Sequence, residues 1–299
     1  MNERSVIALG FFDGVHIAHG ALLERTCLRA KELGARAAAM SFDTHPDTLV
    51  FGAPAKLLNT MHERKRLMQT LYGIEDVIFC RFDRATMQMD WEVFVEDYLL
   101  RQLHACHLVC GHDYHFGARG LGDAEKLRKK CRALGLGCDV IEEMALDGVT
   151  VSSTHIRALL QAGEMEQATR FLGHAHLLSG TVCRGAGRGH LLGFPTANLP
   201  LQEDLLVPAF GVYGGWAELD GGGRYPAAVN LGIHPTVEQL PAPVAEASLL
   251  GFSGDLYGKE LRLELLFRVR EETRFSSLEA LIAQVLRDQQ TVLRRLGAE

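Results

Sequence analysis

The feature that most restricts the fold is a change of texture along the chain. Up to Gly173, short apolar runs alternate with stretches of helical period, and from His174 glycine-rich, strand-like runs take over. The strings "VIAL", "RAAAMSF", "DVIFCRF", "CHLVCG" and "CDVIEEM" read as strands, and "ALLERTCLRAKEL", "HERKRLMQTLYG", "WEVFVEDYLLRQL" and "DAEKLRKKCRALG" read as the helices between them. Strands joined through helices need crossovers, so the first part is expected to hold a parallel, Rossmann-like sheet. Past it, "HLLSGTVCRG", "GVYGGWAEL", "YPAAVNLG", "VAEASLLGF" and "ELRLELLFRVR" are strand-like, and "SSLEALIAQVLRDQQTVLRRL" returns to a helical period with Ser276 or Ser277 as its cap. That pattern predicts a small β-barrel with one terminal helix. The boundary between the two parts is placed at residues 172 and 173.

A length of 299 residues, 47% hydrophobic and 23% charged, suits two modest domains. The net charge of -6, from 31 basic against 37 acidic residues, comes with no long run of like charge, so neither nucleic acid nor a membrane surface is expected as a partner. Seven scattered cysteines without a C-x-x-C pair, no apolar stretch of membrane length and no secretory leader point to a cytoplasmic protein.

The stretch "FFDGVHIAHG" follows the first strand, where a parallel sheet opens its ligand crevice. Asp13-Gly14 ends the strand, and His16 and His19 fall on the first turns of a helix whose free N–H groups favour an anion. Zinc is an alternative for two histidines on one helix face, although no third or fourth ligand stands at a recognised spacing. Two histidines with helix amides would neutralise charge developing on a phosphoryl group in flight. In "VSSTHIR", Ser152, Ser153 and Thr154 head another helix, and Arg157 one turn on has the fork geometry for a phosphate. Alone this is a capped helix; beside the first motif it reads as the second half of a nucleotide clamp.

In "GRGHLLGFPTANL", Gly185, Gly187 and Gly189 let backbone amides approach phosphates, and Pro195 precedes Thr196 and Asn198. These two would share one face of an extended segment and offer hard oxygens suited to Mg²⁺. Without context the stretch is better read as a turn with a polar Thr and Asn. The cysteines of "HACHLVCGHDYH" invite a metal reading, but four strand residues span about 13 Å, too far for Cys106 and Cys110 to share one zinc. Asp113 then falls in the loop after a buried strand.

Taken in order, "GFFDGVHIAHG", "SFDTHP", "GHDYHFGARGLGD" and "VSSTHIRALLQAG", then "LSGTVCRGAGRGHLLGFPTANL", "GVYGGW", "AAVNLGIHPT", "AEASLLGFSGDLYGKEL" and "RFSSLEAL", resemble the successive motifs of the bacterial bifunctional riboflavin kinase/FMN adenylyltransferase (FAD synthetase) family. The likeness covers nearly the whole chain. It implies an α/β nucleotidyltransferase-like domain over residues 1–172 that adenylylates FMN, and a riboflavin kinase-like β-barrel over 173–299. ATP, riboflavin and FMN would be the substrates, with Mg²⁺ at both steps. His16 and His19 would act in adenylyl transfer. Gly10, Phe11, Asp13, Gly14, Asp113, Ser152, Ser153, Thr154 and Arg157 would bind that nucleotide, and Gly185 and Gly189 the nucleotide of the kinase. Thr196 and Asn198 would hold the metal and phosphates, Glu246 would take the hydroxyl proton, and Asn230, Arg274 and Phe275 would meet the flavin.

The chain departs from the family pattern at five places. Ala18 stands where the family usually has a glycine between the histidines, Phe11 replaces a smaller polar residue, and Thr44 a proline. Ser248 and Gly251 replace a histidine and an aspartate. A chain in which only the kinase works, and a flavin-binding regulator without catalysis, are the alternatives these changes leave open.

Overall fold

The computed structural model describes residues 4–52, 56–184, 196–234 and 242–298. Their packing divides the chain into two compact units, Met1–Ser153 and Thr154–Glu299.

The first unit is built on a parallel sheet of β1 (Ser5–Leu9), β2 (Arg36–Phe42), β3 (Asp76–Cys80), β4 (Ala105–Gly111) and, beyond the short pair β5 (His115–Phe116) and β6 (Gly122–Asp123), β7 (Gly137–Ile141). Its strand order is β3-β2-β1-β4-β7, and each neighbouring pair is parallel. The chain steps outward from β1 to β3 and then returns to the far side of β1. A topological switch therefore lies between β1 and β4, and a crevice opens at their carboxyl ends. Val6, Ile7 and Ala8 are wholly buried, which is why β1 is a continuous apolar run without alternation.

The helices of this unit are α1 (Ile17–Leu33), α2 (Pro46–Phe51), α3 (Met61–Tyr72), α4 (Arg84–Met87), α5 (Trp91–Val93) and α6 (Ala124–Ala133). Gly34 and Gly73 end α1 and α3 in the left-handed conformation that a C-terminal cap requires. Two segments differ from the sequence expectation. "DTHPD" reads as a turn but starts α2, with Pro46 in its first turn and His45 Nδ1 accepting from the Asp47 N–H at 3.2 Å. "WEVFVEDYLLRQL" reads as one α-helix, yet α5 passes into a π-helix over Phe94–Gln102. Phe94 and Leu99 are both buried, and an i, i+5 spacing is the one that π-winding aligns. The Asp147-Gly148 turn joins β8 (Ala145–Leu146) to β9 (Val149–Thr150), with positive φ at both central residues as a two-residue hairpin prefers.

The second unit takes up α7 (Ser153–Ala162) after its first residue, then α8 (Met165–Leu172). Six antiparallel strands follow, β10 (His176–Thr181), β11 (Ala197–Pro200), β12 (Gly211–Leu219), β13 (Arg224–His234), β14 (Ala242–Leu249) and β15 (Glu260–Glu271), and then α9 (Leu278–Leu296). Their order is β10-β15-β12-β13-β14-β11. The edges approach through a Cys183–Asn198 bridge, where the Cys183 N–H donates to the Asn198 carbonyl at 2.9 Å, so the sheet nearly closes into a barrel. Tyr213, Leu231, Leu263 and Leu265 are buried in its core. The glycines of "GVYGGW" have a steric cause, since a Cβ on Gly215 would fall 1.7 Å from the Glu264 carbonyl oxygen. The Ser277 Oγ accepts the Ala280 N–H at 3.2 Å and caps α9, which packs on β12 and β13.

His176, at the head of β10, is 2% exposed and its Nε2 has no hydrogen-bond partner. Burial, with His174 nearby, pushes its pKa down to about 3 from an ordinary 6.5. Below pH 6.5 the unfolded chain takes up a proton that the folded one refuses, so acid lowers stability by about 1.4 kcal/mol per pH unit. Urea unfolding of this unit is therefore expected to require about 2 kcal/mol less at pH 5 than at pH 6.5 through His176 alone. Tryptophan fluorescence reads the transition, and His176→Phe should remove that increment.

Candidate active sites

In the first unit a cavity of about 420 Å³ occupies the crevice at the switch point. Its wall includes Gly10, Phe11, His16, Ala18 and His19 from the β1–α1 passage, Asp113 and Tyr114 after β4, and Ser152 and Ser153 at the head of α7. His16 is the N-cap of α1, and its Nδ1 accepts the His19 N–H at 3.3 Å. The two imidazoles stack with centroids 3.6 Å apart and 13° between planes. Stacked rings aim their nitrogens side by side rather than at one point, and among the described residues no group of His, Cys, Asp and Glu is placed to hold a metal. Burial first, then His16 and Arg64, hold the His19 pKa well below its ordinary 6.5. At neutral pH this ring is a neutral hydrogen-bonding group, and its Nδ1 is buried with no partner.

The loop that presents these histidines is strained. Phe12 has φ of 59°, Gly14 of 81° and Val15 of 43°, and a β-branched residue in that region costs on the order of 1–3 kcal/mol. Buried hydrogen bonds hold it in place. Asp13 Oδ1 accepts the Leu58 N–H at 2.9 Å, the Asp13 carbonyl accepts from Ser153 Oγ at 2.9 Å, and the Gly14 N–H donates to Asn59 Oδ1 at 3.4 Å. Asp13 and Gly14 thus stand behind the cavity wall and anchor it. Thr154 and Arg157 continue α7 into the second unit, exposed and half-buried respectively.

Arg64, on α3, lies outside every motif in the sequence. It is fully buried, and its Nη1 donates to the Phe11 carbonyl, Ser41 Oγ and the Phe42 carbonyl at 3.0, 3.1 and 3.3 Å, tying together the ends of β1 and β2. Desolvation lowers its pKa to about 10, opposed by the charge of Asp13. One signal was available: position 64 shares the helical stripe of the buried Leu67 and Met68.

In the second unit the polar residues form one row across three strands. Asn198 of β11 stands opposite Glu246 of β14, and Glu246 opposite Asn230 of β13, so all three side chains point to the same face. Thr196, two residues before Asn198, donates from Oγ1 to Glu246 Oε1 at 2.6 Å. A cavity of about 330 Å³ on one side is lined by Thr196, Asn230, Glu246, Ser248 and Phe275, with Leu281, Ile282 and Val285 of α9 making an apolar end. A second cavity of about 600 Å³, lined among others by Ala247, Phe252 and Tyr257, also has Thr196 in its wall. The hydroxyl of Thr196, the amide oxygen of Asn198 and the Glu246 carboxylate make a hard-oxygen set of the kind Mg²⁺ accepts when phosphates and water complete it.

Phe275 lines the smaller cavity, whereas Arg274 is exposed and outside that lining. Gly185 and Gly189 fall outside the described residues. Two pairs on the wall each include an α9 residue outside the sequence motifs. Asp288, 4% exposed, accepts from Arg270 Nε at 2.9 Å and Gln284 Nε2 at 2.7 Å, and Gln289 Nε2 donates to Ser248 Oγ at 3.2 Å. An aspartate at position 288, on the stripe of Leu281, Val285 and Val292, was the readable sign of the first pair.

Fold and sites together define a protein of two transferase-type units, a nucleotidyltransferase-like α/β unit and a flavokinase-like barrel. The family model described as FAD synthetase matches residues 1–155, and that described as riboflavin kinase matches residues 172–296. Curated relatives named bifunctional riboflavin kinase/FMN adenylyltransferase include those of Listeria monocytogenes, 32% identical over 96% of this chain and 91% of the relative, and Escherichia coli K12, 33% identical over 99% and 94%. The Pseudomonas fluorescens protein of the same name is 35% identical over 92% of this chain and 88% of its own. The chain belongs to the bifunctional riboflavin kinase/FMN adenylyltransferase family. A solved structure titled a macrolide-efflux protein from Streptococcus pneumoniae superposes with a TM-score of 0.85 at 26% identity, over 98% of this chain and 94% of that one. Its title speaks of that protein; among the described residues here no helix is long and apolar enough to cross a membrane.

Proposed function

We propose that the barrel unit phosphorylates riboflavin to FMN with ATP, and that the α/β unit transfers the adenylyl group of a second ATP to FMN to make FAD. The observation that carries the first step is Thr196, which borders both cavities and is hydrogen-bonded to Glu246. A flavin in the cavity with the apolar end would bring its 5'-hydroxyl to Glu246, which accepts the proton as the oxygen attacks the γ-phosphorus of ATP in the adjoining cavity. Mg²⁺ held by Thr196 and Asn198 would neutralise phosphate charge there. Asn230 would position the acceptor from the next strand.

In the second step an FMN phosphate oxygen bonds to the α-phosphorus, and pyrophosphate leaves. His16, His19 and the amides at the head of α1 would offset the charge in transit, with Ser152 and Ser153 as the other side of the clamp. We place the functional division at residues 172 and 173, between the last nucleotidyltransferase motif and the first barrel strand. The partners are small molecules, and a chain whose seven cysteines are all free suits the reducing cytoplasm.

Incubating the chain with riboflavin, ATP and Mg²⁺ and separating the flavins by chromatography tests this reading. FMN followed by FAD is expected, and absence of both would overturn it. FAD made from supplied FMN rules out the kinase-only alternative that Ala18 and Phe11 leave open.

A further inference from the structure

Phe11 and Arg64 show how the first unit would hold its acceptor, on the reading that the acceptor is FMN. The guanidinium carbon of Arg64 lies 4.1 Å from the centroid of the Phe11 ring. Nε and Nη2 of Arg64 are buried with no hydrogen-bond partner, so the aromatic face is what faces this part of the cation. His45 meets the same ring edge-on, with centroids 4.5 Å apart and 72° between planes. One face of Phe11 is thus taken by Arg64 and His45 packs against the ring, while the residue lines the cavity. The ring surface turned to the cavity is what a ligand there would meet, and the ring cannot turn without losing the cation.

The two flanks of the cavity differ in chemistry. Phe42 and Pro46 enter the cavity wall from the β2 side of β1, and Asp113 and Glu142 from the β4 and β7 side. Adenine carries hydrogen-bonding nitrogens around its edge and suits the polar flank. The dimethylbenzene end of an isoalloxazine carries none and suits the apolar one. We propose that Phe11, held flat by Arg64, is the shelf on which the isoalloxazine ring of FMN stacks during adenylyl transfer, with Arg64 as its positioning residue. The small polar residue usual at this position in the family offers no such face.

The test is steady-state FAD formation by the full chain with FMN and ATP varied in turn. Phe11→Leu keeps apolar bulk and removes the π face, and should raise KM for FMN about tenfold while KM for ATP stays within about twofold. Phe11→Tyr should restore the wild-type value. Lumichrome, the planar dimethylalloxazine that remains when the N10 chain is lost, should compete with FMN in the wild type and about tenfold more weakly in Phe11→Leu. Arg64→Lys keeps the charge but loses the flat fork, and should raise KM for FMN in the wild-type background and leave it unchanged in the Phe11→Leu background. A rise in KM for ATP alone, unchanged lumichrome inhibition, or additive effects of the two substitutions would overturn the shelf. A wild type that makes no FAD is instead the failure of the functional reading, so the two failures are distinct.

Discussion

With Glu246→Gln, kcat for riboflavin phosphorylation is expected to fall about 10²- to 10⁴-fold, the range lost with a general base. KM for ATP should move by no more than a few-fold, because ATP is placed against the larger cavity, whose wall shares Thr196 but not Glu246 with the smaller one. The substitution is conservative in shape. The introduced amide oxygen would still accept from Thr196 Oγ1, which now donates to Glu246 Oε1 at 2.6 Å, and the row with Asn198 and Asn230 is set by strand register rather than by charge. What disappears is a site for the hydroxyl proton, since an amide oxygen is far less basic than a carboxylate. FAD formation from supplied FMN belongs to the other unit and should persist, which separates chemistry from misfolding. Chromatographic rates for FMN and FAD on one preparation read both. A Glu246→Gln variant within about tenfold of wild type would assign the proton to another acceptor.

What the sequence showed and what it hid divide along physical lines. β1 was legible because four consecutive apolar residues have no place but between two covered faces. His16 and His19 were legible as a site because helix starts and strand ends have local signatures. The roles inside that motif were not. Asp13, in the string "FFDGVH", accepts the Leu58 N–H with its carboxylate, a partner 45 residues away that no spacing rule supplies. Arg64 was hidden for the opposite reason: a basic residue in "HERKRL" ordinarily faces water, and its burial under Phe11 is created by tertiary packing. The π-helical segment was read as α-helical because propensity does not distinguish i+4 from i+5 bonding. In the barrel, the row of Asn198, Glu246 and Asn230 spans three segments far apart in the chain, and only register aligns it.

His19→Ala is expected to lower kcat for FAD formation about 10²- to 10³-fold, the cost of losing one preorganised donor to a charged transition state. The argument begins with a ring that is neutral. Burial, the stacked His16 and Arg64 each disfavour a proton on His19, so the imidazole enters the reaction as a neutral donor at pH 7. Its Nδ1 is buried and unpartnered, a state costing about 1–3 kcal/mol. A phosphate oxygen arriving at the head of α1 would relieve that cost, and most fully when the transferring group carries its greatest charge. His19→Gln, which keeps an N–H donor, should recover part of the rate. The sign of the pH dependence follows from the same arrangement. Because the folded-state pKa lies below 6.5, the ring stays neutral from pH 8 down through 6.5, and a rate that requires the neutral form is flat over that interval and falls only in more acidic solution. A catalytic imidazolium would do the reverse, losing activity as pH rises through its pKa. A kcat/KM profile for FMN adenylylation that declines between pH 6.5 and 8 in the wild type, and is flat in His19→Gln, would therefore replace the neutral donor with a cation.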